Sequence, residues 1–137
     1  MLRCRPLLEI APHCFTTRDL LLTEDASEWA AVAEFMQVGR IRLIRQVHRA
    51  DVAVARRGMD GDWTRPDADV IVSDDPDSAI GVRVADCAPI LLADRRLGVV
   101  GAAHAGWRGT VQRAAVAAVE AMAREFGSAP GDLVAAI

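Results

Sequence analysis

The chain has 137 residues, 52% of them apolar, and 16 basic against 19 acidic side chains give a formal charge of −3. That apolar fraction excludes a disordered chain and fits one domain with its own core, and no stretch approaches the roughly 18 apolar residues of a membrane span. The densest basic runs are the pairs Arg56-Arg57 and Arg95-Arg96, too little positive surface for a nucleic-acid backbone.

Glu9 interrupts the apolar run after Arg3 and Arg5 at Leu7-Leu8, so the start is too short for a secretory signal. Cys14 to Thr17 is a short β-prone segment. Asp25 and Glu28 have capping-box spacing ahead of a helix expected over 27–37. Trp29, Val32, Ala33 and Met36 share one of its faces, and Gly39 is its expected stop. Ile41, Leu43 and Val47 alternate with Arg42 and Arg45 as in a half-buried strand over 41–47, although Ile44 breaks the pattern, and Val52 and Val54 imply a second strand. Gly58 to Pro66 is a turn-rich loop. Four short β-type runs follow, at 69–73, 79–85, 90–93 and 98–103, apolar enough for burial on both faces.

After Gly109 a single long helix is expected, with Thr110 as N-cap and Gly127 as stop. Val111, Ala115, Ala118, Val119, Met122 and Phe126 form its apolar stripe. Pro130 to Asp132 makes a turn, and 133–137 opens a final strand. No turn signal follows that strand, so the expectation is a C-terminally truncated domain, or one completed by a partner or a second copy. Cys4, Cys14 and Cys87 have no disulfide-framework spacing and read as free thiols in a reducing, cytoplasmic setting.

The chemistry-bearing residues stand at the ends of these strands. His48 closes the run at 41–47, Cys87 follows the run at 79–85, and His104 follows the run at 98–103. Two imidazoles and a thiolate form a donor set that zinc favours, and three protein ligands leave a fourth position open, as in catalytic sites. The compact spacings CxxC and HExxH are absent, so Cys87 as a small buried hydrophobe and the histidines as ordinary hydrogen-bonded residues stand beside the metal reading. Asp69 and Asp86 are the carboxylates placed to orient a ligand imidazole or to shuttle protons. In HAGWRGT, Gly106 and Gly109 allow close backbone approach or a positive φ. Arg108 and the helix start beyond them fit a phosphate; the alternative is an ordinary strand-to-helix turn with Arg108 solvated and Trp107 packed on the sheet.

The strings RQVHRADVAVA, DADVIVSDDPDSAIGVRVADCAPILLAD and GVVGAAHAGWRGTVQRAAVAAV, with the shorter PHCFTTR, resemble the core blocks of the YfiH (DUF152) family. That family is also called the laccase-domain or multicopper polyphenol oxidase family, and its members are assigned as purine nucleoside phosphorylases. The resemblance implies a compact α/β sandwich, a mixed sheet with helices packed on it. It also implies zinc held by His48, Cys87 and His104. The implied chemistry is phosphorolysis of adenosine, inosine and methylthioadenosine, with adenosine deamination as a second reaction and a peptidoglycan-editing role in some members. Arg108, and less directly Arg18, are the phosphate candidates. The chain departs from the family where Asp19-Leu20-Leu21-Leu22 replaces a glycine-rich block, and where it stops at Ile137 ahead of the family's further strands and helix.

Three readings follow. A true multicopper oxidase is excluded by counting, because three histidines cannot supply a histidine-rich copper cluster as well as a second copper site; copper remains an opportunistic occupant of the zinc position. The first reading is a zinc-dependent enzyme on a purine nucleoside and phosphate. The second is a cysteine hydrolase with Cys87 as nucleophile and His48 or His104 as base. The third is a catalytically silent fragment.

Overall fold

The computed structural model describes residues 1–20, 22–23, 26–59, 61 and 63–137. Its frame is a five-stranded mixed sheet in the order β2(Val52–Ala55), β3(Val70–Ser73), β6(Val100–Ala105), β5(Ala88–Asp94), β7(Leu133–Ala136). The β2–β3 pair is parallel and the other three pairs are antiparallel. β1(Arg40–Leu43) and β4(Ser78–Gly81) form a separate parallel pair. Four α-helices, α1(Arg5–Leu8), α2(Ala26–Met36), α3(Trp107–Val111) and α4(Ala114–Phe126), and the 3-10 helix Pro130–Asp132 complete the described elements.

α4 lies on one face of the sheet, where Ala114, Ala118, Ala121 and Met122 are fully buried against Val70, Val72, Leu92 and Ala103. Small side chains permit the close approach. A Cβ added at Gly101 would stand 3.2 Å from Met122 Sδ. The other face carries Ile71 and Ala102 against Ile44, Ala53 and Ala68, with Trp63 and Ile80 packed beside them. Side chains alternate along a strand, so β6 sends Ala103 toward α4 and both Ala102 and His104 the opposite way. A hollow of about 1820 Å³ lies on this second side, lined by residues of the N-terminal segment, β1, β4 and the sheet.

Several elements differ from the sequence reading. β1 ends at Leu43, because Ile44 is buried out of the alternation and Arg45 makes only an isolated bridge with Asp67. β4 ends at Gly81 rather than at residue 85, and residues 83–86 are exposed. The long helix is two. Thr110 sits inside α3, whose N-cap is Gly106, and Arg113 at φ 64° breaks the backbone before α4 begins. Val111 is therefore 74% exposed instead of lying on the buried stripe. α2 stops at Met36 because Gln37, not Gly39, takes the positive φ, 56°. The expected capping residue Asp25 lies outside the described residues. Glu28 instead accepts hydrogen bonds from the Thr23 backbone N–H at 2.6 Å and the Thr23 hydroxyl at 2.9 Å. Gly127 ends α4 as expected, at φ 77°. Among the described residues no helix is long and apolar enough to cross a membrane.

A buried ion pair ties the small strand pair to the loop beyond β2. Arg42 is 2% exposed and donates to Met59 O at 2.7 Å, Ser78 Oγ at 3.3 Å and Asp75 Oδ2 at 3.4 Å. The Ser78 hydroxyl donates to the same Asp75 oxygen at 2.7 Å. These contacts hold the Asp75 carboxyl below its ordinary 3.8; the Ser78 hydroxyl is the chief cause, burial opposes it, and the Asp77 N–H and Arg42 add to it. A lowered carboxylate stabilises the fold fully above its unfolded value and loses that contribution as pH falls through the folded value. Asp75→Ala leaves a buried guanidinium without its counter-charge, so urea unfolding at neutral pH should show a loss of about 3 kcal/mol. The same variant should lose less stability than the parent on acidification below about pH 4.

Candidate metal centre

Sheet topology brings the chemistry together. β5 and β6 are antiparallel with Pro89 opposite His104 and Ala88 opposite Ala105, so Cys87, one residue before β5, lies at the end of the sheet where β6 finishes. β3 runs antiparallel to β6 with Val70 opposite Ala103, which puts Asp69 at the same end, where its carbonyl accepts the His104 N–H at 2.8 Å. β2 is parallel to β3 with Val52 opposite Val70. The segment entering β2, including His48, therefore arrives at that edge too. The sequence reading placed His48 and Cys87 at the C-terminal ends of strands. Both in fact stand in loops before the strands that follow them, and His104 is the penultimate residue of β6.

His48, Cys87 and His104 each offer a donor atom, and these atoms all lie within 4.8 Å of one another. A tetrahedral site with bonds of about 2.0–2.3 Å spaces its donors roughly 3–4 Å apart, so the three donor atoms stand close to the spacing that one ion would need. The two imidazole rings meet edge to face, with centroids 4.9 Å apart at 84°. His104 is 3% exposed and forms the floor, Cys87 is half-buried, and His48 is exposed at the rim. The third histidine, His13, is elsewhere: its ring accepts the Cys4 N–H at 2.8 Å and its Nδ1 lies 3.1 Å from Ala11 O. Two histidines and one thiol are thus the nitrogen and sulfur donors of this cluster.

Behind the three side chains stands Asp69, fully buried. Its Oδ1 accepts from the His48 N–H at 3.0 Å and faces His104 Nδ1 at 2.8 Å, while Oδ2 accepts from the N–H groups of Val47 at 3.1 Å and Arg49 at 2.7 Å. Burial alone would raise its pKa, but the hydrogen bonds from Arg49, His104, Val47 and His48 outweigh burial and hold it below 3.8. Asp86, the other carboxylate expected to serve here, is exposed. Gln46, which sequence reasoning passed over, links two loops of the site: its side-chain amide donates to Arg83 O and accepts from the Arg83 N–H, both at 2.7 Å.

The two glycines of HAGWRGT act through space and not through a left-handed backbone. Gly106 has φ −72°, and a Cβ there would fall 2.8 Å from Cys87 Sγ. A Cβ at Gly109 would fall 3.2 Å from both Arg49 O and His104 O. α3 can therefore sit against the Cys87 and His48 loops only without those side chains. Trp107 is not packed on the sheet but 73% exposed, with the Arg108 guanidinium 4.9 Å from its ring centroid. Arg18, by contrast, lines the hollow on the face away from α4, which none of the three donor residues lines.

Gly106→Ala tests this geometry. The added methyl displaces the Cys87 sulfur, so if the three donors hold a zinc ion, its affinity measured by chelator competition should fall about tenfold or more, while far-ultraviolet circular dichroism stays that of the parent.

Residues 22–137 match the family model described as multi-copper polyphenol oxidoreductase laccase. The chain is 44% identical over 108 residues to a purine nucleoside phosphorylase of Streptomyces coelicolor, covering 79% of this chain and 44% of that protein. It is 38% identical over 113 residues to an adenosine deaminase of an unknown prokaryotic organism, covering 78% of this chain and 43% of that one. Among solved structures, YlmD from Geobacillus stearothermophilus superposes with a TM-score of 0.69 at 30% identity, covering 79% of this chain and 43% of that chain. The chain spans about half the length of the curated relatives it matches. By the extent of the family match and the shared fold, this chain belongs to the multi-copper polyphenol oxidoreductase laccase family, the group of the YfiH-type proteins.

Proposed function

We propose that the chain is the metal-bearing part of a zinc-dependent enzyme that cleaves purine nucleosides with phosphate and also deaminates adenosine. The observation that carries this reading is the convergence of the His48, Cys87 and His104 donor atoms within 4.8 Å, with a buried carboxylate against one ring. Relatives bear the names purine nucleoside phosphorylase and adenosine deaminase. The donor set fits zinc, because thiolate and imidazole together are borderline-soft, and it fits a multicopper cluster poorly, because only two histidines are present in it. Copper is at most an adventitious occupant.

His48, Cys87 and His104 would hold the ion, and zinc when bound supplies a Lewis acid that brings the pKa of a water toward neutrality. The protein's own groups bind and orient the reactants. Arg108 is the candidate for the phosphate contact, as a fixed cation with two parallel N–H donors. Arg18 is a weaker candidate, since it lines the hollow and not the donor cluster. The exposed rim at His48 leaves the donor cluster open to a small substrate from one side. All three cysteines are free thiols, in keeping with a reducing, cytoplasmic setting.

A cysteine hydrolase would use the same three side chains, so metal content separates the two readings. Purified chain should hold one zinc, release ribose 1-phosphate from inosine and phosphate, and lose at least 100-fold of that rate as Cys87→Ala. Equal rates for parent and variant would eliminate the zinc reading. Metal-free protein that is alkylated rapidly at Cys87 would favour the hydrolase.

A further inference from the structure

Four nitrogens converge on one buried carboxylate at the back of the donor cluster. Three are backbone N–H groups, of Val47, His48 and Arg49, and the fourth position belongs to His104 Nδ1. A backbone N–H can only donate, and an ionised carboxylate can only accept. Three amide donors on the two oxygens favour the ionised, accept-only carboxylate, and the Nδ1 that faces Oδ1 is then the nitrogen that carries the proton. A neutral imidazole carries a single N–H. Nε2 of His104 is then left as a bare lone pair, the form a metal requires.

The same carboxylate acts on His48 by another route. His48 has φ 60°, a left-handed conformation that is unfavourable for a residue with a Cβ. The fold holds it there because three successive N–H groups, at 47, 48 and 49, wrap around Asp69, and the middle one belongs to His48 itself. Gly109 closes the other side of that loop, 3.2 Å from Arg49 O as measured from the Cβ it lacks.

We infer that Asp69 is the positioning residue that presets both histidines for metal capture before a metal arrives, fixing the tautomer of His104 through Nδ1 and the backbone of His48 through three amides. This rests on the proposed metal site for its purpose, but the state of the two histidines is a property of the metal-free chain. Asp69→Asn keeps the shape and reverses the donor pattern. One carboxylate oxygen becomes an NH₂ that faces donors. If that NH₂ takes the His104 side, the ring must accept at Nδ1 and carry its proton on Nε2, the nitrogen needed for the ion. If it takes the other side, it opposes the amides of Val47 and Arg49 and loosens the His48 loop.

The test uses nitrogen NMR of the imidazoles in the metal-free full chain, then zinc competition against a chromophoric chelator. The parent should show His104 as the Nδ1–H tautomer with a slowly exchanging ring proton. Asp69→Asn should shift that tautomer or release the ring proton to solvent, and should bind zinc about 10–100-fold more weakly. A merely structural role would lower the melting temperature without moving the tautomer. The inference is overturned if metal-free parent protein carries the His104 proton on Nε2, or if folded Asp69→Asn binds zinc as tightly as the parent. A variant that fails to fold leaves the parent spectrum to decide. A parent that holds no more zinc than Cys87→Ser removes the metal reading, and the tautomer measurement still judges Asp69 separately.

Discussion

The Asp69 carboxylate is the constraint on which the candidate site depends. It sits at zero exposure, immediately before β3, and receives three backbone amides and one ring nitrogen. Burying a charge is costly unless hydrogen bonds replace the water it loses. Here the replacement is full enough to hold the carboxyl below its ordinary value despite burial. The anion in turn dictates where its donors stand. Two proposed metal ligands 56 positions apart in the chain, His48 and His104, are thereby referred to one point in space.

The third proposed ligand is placed by different means. Cys87 precedes β5, whose register against β6 sets Pro89 opposite His104. The sulfur then fills the space over Gly106, where no side chain can stand. Sheet register, one buried anion and one missing methyl group therefore act together. Each is cheap alone, and each is the kind of constraint that a rigid framework supplies and a loop cannot. The small residues Gly101, Ala103, Ala114, Ala118 and Ala121 of β6 and α4, closed over by Met122, make that framework dense on the opposite face.

Much of this was legible from residues alone. The apolar runs gave five of the strands near their observed places, the helical stripe ending at Gly127 gave α4, and the order of QVH, ADC and HAGWRG gave the family resemblance and the three candidate ligands. What failed was local. Ile44 already breaks the alternation in the sequence, and its burial ends β1 early, whereas Arg113 and Gln37 adopt a positive φ that a non-glycine residue gives no reason to expect. The four-residue helix α1 is too short to carry a periodic signal. Gly106 and Gly109 read as conformational glycines but serve to leave space. Asp69 and Asp86 were equivalent in sequence, and only strand pairing tells which faces an imidazole. Gln46 had no pattern to mark it, because its partner is a backbone group 37 residues away.

The central claim is that two imidazoles and one sulfur meet on a single ion. X-ray absorption at the zinc edge, on the chain loaded with one equivalent, measures that directly. The account predicts a first shell with one sulfur at about 2.3 Å and nitrogen or oxygen donors at about 2.0–2.1 Å, and loss of the sulfur scatterer in Cys87→Ala. A first shell without sulfur in the parent, or with a sulfur that persists in the variant, would contradict it.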